Sequence, residues 1–299
     1  MHHSPAIHLH SRTATIDGLR LHYIEAGAGP PVVLLHGFPE FWYSWRRQIP
    51  ALVAAGFRVI VPDLRGYNHS DRPVGVAQYR PSLLVRDIAV LIEQVAGGKA
   101  SVVGHDWGGV VAWRLAAERP ELLRKLAVLN APHPQRFFDV LRKNPSQWLR
   151  SAYALFFQLP WLPEALIRAG DFWLLRRIFR DQPTNPAAFT PADIEQYKQV
   201  FARPGGLTGP LNYYRAALRW SSDLSSKSPV IRTPTLLIWG ERDPHLSLRL
   251  SEGLERWVPE LRVERLPQAS HWVQNDDPSR VNQLLIDFFS TLPGCGEER

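Results

Sequence analysis

Short apolar runs recur along the first 130 residues, each separated from the next by a stretch whose apolar positions return every three or four residues. Leu19–Ala26, Pro31–His36, Phe57–Leu64, Ser101–His105 and Leu126–Asn130 are bounded by Gly, Pro or polar residues and read as strands. Phe41–Ala55, Ser82–Ala96 and Gly108–Arg119 carry the helical period between them. This alternation predicts a mostly parallel sheet with helices on both faces. From about residue 132 prolines multiply, strands vanish, and aromatic-rich helical segments follow one another to about Pro229. The earlier pattern then resumes, with strands at Thr235–Trp239 and Leu261–Leu266 and helices at Leu246–Trp257 and Pro278–Phe289. The chain is therefore expected to form one α/β core from residues 1–131 and 230–299, with residues 132–229 inserted as a helical lid.

Composition narrows the class without naming a function. The 299 residues are 45% hydrophobic and 21% charged, ordinary for a soluble globular chain. Eleven Trp, 13 Phe and 8 Tyr are enough both to fill a core and to line an apolar pocket. The formal net charge is +7, and most of it falls in 132–229, where thirteen Lys or Arg meet seven acids for a local +6. No nucleic-acid motif accompanies those cations, so they read as solvated helix faces and no nucleic-acid partner is expected. Cys295 has no second cysteine to pair with, which suits a reducing compartment. Residues 1–15 lack the apolar stretch of a secretory leader, and no run approaches the ~18 apolar residues of a membrane span. A cytoplasmic protein without a membrane partner is the expectation.

The chemistry concentrates at Ser101-Val-Val-Gly-His-Asp106-Trp-Gly-Gly109. A strand runs into Gly104-x-Asp106-x-Gly108 and then into a helix, the spacing of a nucleophile elbow, with glycines where backbones crowd. The central residue there is usually Ser; here it is Asp. A carboxylate that attacks a saturated carbon forms an ester, which water can cleave at its carbonyl. A serine attacking the same carbon would be left as a stable ether. Asp at this place therefore points to sp³ electrophiles, either epoxides or carbon–halogen bonds. Upstream, Pro31–Glu40 carries a strand into His36-Gly-Phe38, a loop that in this arrangement supplies one oxyanion amide, Phe38, to complement that of Trp107. Downstream, Asp243 and His271 each follow a strand, completing the order nucleophile, acid, histidine. Glu241 is the weaker alternative for the acid. His245, His69 and His133 are read as structural or surface residues, and His2, His3, His8 and His10 as part of a frayed terminus.

With these residues in view, the sequence resembles the soluble epoxide hydrolase family of α/β hydrolases over nearly its whole length. The resemblance rests on His36-Gly-Phe-Pro-Glu40, Asp63-Leu-Arg-Gly-Tyr67, Ser70-Asp71-Arg-Pro73, Gly104-His-Asp-Trp-Gly-Gly109 and Ala269-Ser-His-Trp272. Inside the insertion, Tyr153–Pro160 and Gly209–Arg215 are similar to the family's two lid-tyrosine segments. The resemblance implies an α/β-hydrolase fold with an eight-stranded, mostly parallel sheet. It implies Asp106, Asp243 and His271 as the triad, with Tyr153 and Tyr214 as donors to the epoxide oxygen.

A phenol can hold a departing alkoxide while staying protonated at neutral pH, whereas halide needs N–H donors only. Haloalkane dehalogenases typically carry Asn where this chain has Phe38. Tyr213 and Tyr214 stand about 100° apart on a helix, so only one easily faces Asp106, and the family's Asn-x-Tyr-Arg pattern selects Tyr214. The reading is an epoxide hydrolase that takes an epoxide and water and needs no metal or organic cofactor; a homodimer is compatible with the sequence, which leaves the oligomeric state open. Haloalkane or haloacid dehalogenation and a non-catalytic small-molecule receptor are the alternatives.

Overall fold

A computed structural model describes residues 7–225 and 229–291; His2, His3 and Cys295 lie outside the described residues. Its first half contains strands β1 (His10–Ile16), β2 (Leu19–Ala26) and β3 (Pro31–Leu35), helix α1 (Gln48–Ala54) and β4 (Arg58–Pro62). It continues through α2 (Pro81–Val95), β5 (Ala100–His105), α3 (Trp107–Glu118) and β6 (Leu123–Leu129). Among the described residues six helical segments then intervene before the next strand: α4 (Pro134–Lys143), α5 (Pro145–Phe156), α6 (Leu162–Asp181, kinked where residues 169–172 leave helical geometry), α7 (Pro191–Ala202), α8 (Thr208–Arg219) and α9 (Ser222–Ser225). Strands β7 (Thr235–Gly240) and β8 (Leu261–Leu266) and helices α10 (Val273–Asp276) and α11 (Pro278–Ser290) close the described chain.

The eight strands form one sheet in the order β1-β2-β4-β3-β5-β6-β7-β8. Strand β2 runs antiparallel to both its neighbours, and from β4 onward every pairing is parallel. Both faces are covered, as parallel sheets require. On β3, Val33 and Leu35 join the core shared with α2, α3 and the inserted helices, while Val32 and Leu34 face the core on the other side with α1 and α11.

Three local expectations are corrected. The segment Phe41–Ala55 is not one helix: a 3-10 turn at Trp42–Trp45 precedes α1. Pro50 explains the break, because its ring is tolerated in the first helical turn but would clash with the Arg46 carbonyl in a continuous helix. Leu246–Trp257 keeps only a 3-10 turn at Leu248–Ser251, and Gly253 takes a left-handed φ of 62°. His10 is not in a frayed terminus but begins β1, whose hairpin to β2 turns on Asp17 (φ 49°) and Gly18 (φ 83°). Two adjacent positive φ values are the signature of the turn that matches strand twist.

The inserted helices are fixed to the core by a few polar anchors. Asp193 caps α7 through Thr190, accepts from the Tyr43 hydroxyl at 2.8 Å and forms an ion pair with Arg46 at 3.2 Å. Buried Arg215 on α8 donates to the Phe157 and Leu159 carbonyls and pairs with Glu164 at 2.8 Å. The start of α8 lies backbone to backbone on the loop after β4. A Cβ on Gly209 would stand 2.7 Å from the Gly66 carbonyl oxygen and 2.9 Å from its Cα.

Gly209→Ala should therefore push α8 off the core. Overpacking of this kind costs about 1–3 kcal/mol, so urea unfolding should show a lower midpoint with an unchanged slope. A variant as stable as wild type would show that this contact relaxes without cost.

Candidate active site

Strand β5 delivers Asp106 into a backbone conformation that a non-glycine residue rarely takes, φ 50° and ψ −121°. The turn is possible because its neighbours have no side chains. A Cβ on Gly108 would meet the Leu35 carbonyl oxygen at 2.2 Å, and one on Gly104 would meet the Gly108 carbonyl oxygen at 2.4 Å. A side chain on Gly37 would collide with the Asp106 carboxylate itself at 2.3 Å. Glycine at these positions lets β5, α3 and the loop after β3 converge on one carboxyl group.

The two oxygens of that carboxyl group have different surroundings. Oδ1 accepts the Phe38 backbone N–H at 2.8 Å. Oδ2 lies 3.5 Å from Nε2 of His271. Trp107, the other expected amide donor, begins α3, so its N–H is one of the unpaired donors of a helix N-terminus. Nδ1 of His271 lies 2.7 Å from Oδ2 of Asp243. Asp243 is fully engaged: its Oδ1 accepts the amides of His245 (2.7 Å) and Leu246 (2.9 Å), and its Oδ2 also accepts from Asn130 at 2.8 Å. Glu241 is exposed on the same loop, so the geometry selects Asp243 as the partner of His271.

Electrostatics follow from this stacking of carboxylate, imidazole and carboxylate. Burial opposes charge on all three, but the mutual attraction prevails. His271 is raised well above the ordinary histidine value, chiefly by Asp243 and then by Asp106. Asp106 is lowered by the hydrogen bond and charge of His271, and Asp243 is lowered to about 2 by the His271 charge. At neutral pH the resting site is thus an imidazolium between two carboxylates.

Tyr153 on α5 and Tyr214 on α8 meet above Asp106, with ring centroids 5.8 Å apart, and both line a cavity of about 320 Å³ whose floor includes Asp106 and Trp107. The Tyr214 ring stands edge-on to Trp107 at 5.1 Å and to Phe38 at 5.6 Å. Burial, and then nearby negative charge including Asp106, raises both phenols, so they remain donors throughout the neutral range. Tyr213 points elsewhere, its hydroxyl donating to the Arg65 carbonyl at 2.8 Å in the core. That hydroxyl is a buried structural donor rather than an idle group.

Two supports escaped the sequence reading. Asn130, just past β6 with φ 38°, donates to Asp243 and accepts the Gly240 amide at 2.8 Å. An Asn at a strand end is a cue for left-handed backbone, but nothing local to it announces a partner 113 residues away. Beneath the elbow, Nδ1 of buried His105 lies 2.7 Å from the Glu40 carboxylate and its Nε2 lies 2.9 Å from the His271 carbonyl. Burial alone would raise Glu40; the His105 ring beside it holds it low. Of the histidines set aside as structural, His133 is buried in the core against Trp257, and His69 is exposed beside Arg203. His245 is closer to the chemistry than expected, its ring 5.5 Å from those of His271 and Tyr153.

The sequence matches the α/β-hydrolase-fold family over residues 30–278. It is 46% identical to the AB hydrolase superfamily protein YfhM of Bacillus subtilis, over 91% of this chain and 95% of that protein. It is 40% identical to human epoxide hydrolase 4, over 91% of this chain and 76% of that one. The chain belongs to the epoxide hydrolase family of α/β hydrolases. The solved structure of Bacillus megaterium epoxide hydrolase with an inhibitor superposes with a TM-score of 0.86 at 33% identity, covering 94% of this chain and all of that one. The fold is accordingly the α/β-hydrolase fold, and the protein is a hydrolase of that family.

Asp243→Asn should lower epoxide turnover by roughly 10²- to 10⁴-fold, because the amide cannot balance the imidazolium and favours the wrong tautomer. Glu241→Gln should stay within about two-fold of wild type on the same steady-state assay. The reverse order would reassign the acid.

Proposed function

We propose that this enzyme converts epoxides to vicinal diols through an ester on Asp106. The observation that carries the reading is the division of labour on one carboxylate, with two phenols opposite it. Oδ1 is already held by the Phe38 amide, which leaves Oδ2 as the attacking oxygen. Oδ2 bonds to an epoxide carbon, the carbon–oxygen bond of the ring breaks, and the oxygen leaves as an alkoxide that takes a proton from Tyr153 or Tyr214. The phenolate is reprotonated at the expense of His271, so the site exchanges an ion pair for a neutral ester and a neutral imidazole.

That exchange prepares the second step. Ester formation removes the Asp106 charge that helped to raise His271, so the ring gives up its proton and is left neutral, free to act as a base. His271, oriented by Asp243, takes a proton from water as the water oxygen attacks the Asp106 carbonyl carbon. The resulting oxyanion sits where Oδ1 was, facing the amides of Phe38 and Trp107. Collapse breaks the bond between that carbon and the alkyl oxygen, and the departing alkoxide takes the proton of the added hydroxyl, which releases the diol and restores the carboxylate beside a protonated His271. Phe38 supports epoxides over haloalkanes, because its side chain offers no N–H to a halide while the two phenols suit an alkoxide. No helix among the described residues is long and apolar enough to cross a membrane.

His271→Gln separates the two steps. Alkylation needs no general base, although without the His271 charge it should be slower, so intact-protein mass spectrometry after mixing with styrene oxide should still show an adduct of substrate mass on Asp106. Consumption of epoxide without an adduct would refute the ester.

Tyr153→Phe and Tyr214→Phe should each slow epoxide hydrolysis by about 10- to 1000-fold, and the double variant should be nearly inactive. Tyr213→Phe should keep its turnover but lose about 1 kcal/mol of stability, since it leaves the Arg65 carbonyl without its donor. Full activity in the double variant, together with halide release from haloalkanes by wild type, would move the assignment to dehalogenation.

A further inference from the structure

Helix α5 carries Tyr153 toward the cavity, yet another of its faces has no partner. Positions 145, 148, 149, 152 and 155 fall within one sector of a 3.6-residue helix, are Pro, Trp, Leu, Ala and Leu, and are all exposed; Phe156 at the margin of the sector packs against the core. Trp148 is 52% exposed, Leu149 81% and Leu155 53%. The chain beyond the helix adds exposed Leu159 and Trp161, and α8 adds exposed Leu218. An apolar sector of this kind ordinarily packs against a core; here it faces solvent, which marks an interaction surface.

The patch is continuous with the active site. Trp148, Leu155 and Leu218 are at once exposed and part of the cavity wall that leads to Asp106. They form the rim of its mouth, so whatever covers the patch also stands at the entrance. Charge narrows the choice of occupant. Residues 132–229 carry +6, and exposed Arg142 and Lys143 immediately precede α5. A second copy would bring two cationic lids together; an anionic surface would be attracted.

We propose that this face docks on an anionic phospholipid bilayer, with the α5 apolar sector in the interface and the cavity mouth against the lipid. Amphipathic helices with an apolar face and flanking Lys or Arg bind bilayers this way, without spanning them. Together with the epoxide hydrolase reading, on which this part rests, the arrangement gives apolar epoxides a path from lipid into the cavity without crossing water.

Vesicle flotation tests the docking without any substrate, so its outcome is independent of the catalytic assignment. The full chain should float with vesicles of equal phosphatidylglycerol and phosphatidylcholine and remain largely free of pure phosphatidylcholine vesicles. Leu149→Glu should weaken binding by about tenfold or more. Arg142→Gln with Lys143→Gln should weaken it by a similar factor, since each cation near an anionic surface contributes several-fold. None of the three residues lines the cavity, so circular dichroism and hydrolysis of a water-soluble epoxide should match wild type in both variants. Wild type that stays unbound with anionic vesicles, or variants that bind as well as wild type, would overturn the proposal. A dimer in light scattering that Leu149→Glu dissociates would overturn it in favour of self-association.

Discussion

Everything in the site depends on how closely three backbone segments approach at Asp106. The carbonyl of Leu35, the first turn of α3 and the strand end of β5 come so near that a single methyl group on Gly104 or Gly108 would overlap a backbone oxygen. That crowding holds Asp106 in its left-handed conformation and places its carboxylate beside the Phe38 amide. The strain is local, of order 1–3 kcal/mol for a non-glycine residue, and the surrounding sheet sustains it. The carboxylate is thus aimed by backbone geometry, and its own side-chain freedom contributes little.

Charge is the second constraint, because the aimed carboxylate is buried. An isolated carboxylate in this cavity would favour its protonated, uncharged form. His271 prevents that, and Asp243 in turn prevents His271 from giving up its charge too early. Asn130 and two backbone amides satisfy the remaining valences of Asp243, so no other proton donor is needed to keep it ionised. The second buried pair, Glu40 with His105, lies under the elbow and ties the His271 backbone in place. These charged groups and their supports are therefore one polar column inside an apolar shell, and the column is worth more complete than in part.

The legibility of this arrangement in the sequence was uneven for physical reasons. The central strands β3 to β7 were readable because parallel strands buried on both faces are short, nearly pure apolar runs. The elbow was readable because its crowding demands glycine at fixed spacing. Asp243 and His271 were placed only by their order after strands, and Tyr214 was separated from Tyr213 only by the resemblance; the hydrogen bond from Tyr213 to Arg65 now gives the physical reason. The edge strand β1 was missed because only its last residues are buried, although Asp17-Gly18 between alternating residues was a hairpin signal in plain view. Phe41–Ala55 and Leu246–Trp257 had helical periodicity that Pro50 and Gly253 override, and periodicity alone does not weigh such breakers. Asn130 was beyond reach, since its role exists only once β6 and β7 lie side by side.

The inserted helices show why a pattern of apolar positions does not by itself separate core from surface. On α8 the buried residues Tyr213, Tyr214 and Ala216 pack between core and cavity, and the aromatic richness of the segment is spent inward. On α5 the same richness points two ways, with Tyr153 inward and Trp148, Leu149 and Leu155 outward. A lid over an apolar cavity must be apolar beneath, but nothing in the cavity's chemistry requires it to be apolar above. The outer face has no structural debt to the core, since α5 is already held from within by the bonds of Gln147 to the Ser247 amide and the His245 carbonyl. Its exposed tryptophan and leucines thus leave about half or more of their surface in water, where apolar side chains at this density mark an interaction surface. Their continuity with the cavity rim ties that exposure to the passage of apolar molecules through the mouth, and so to the chemistry below it.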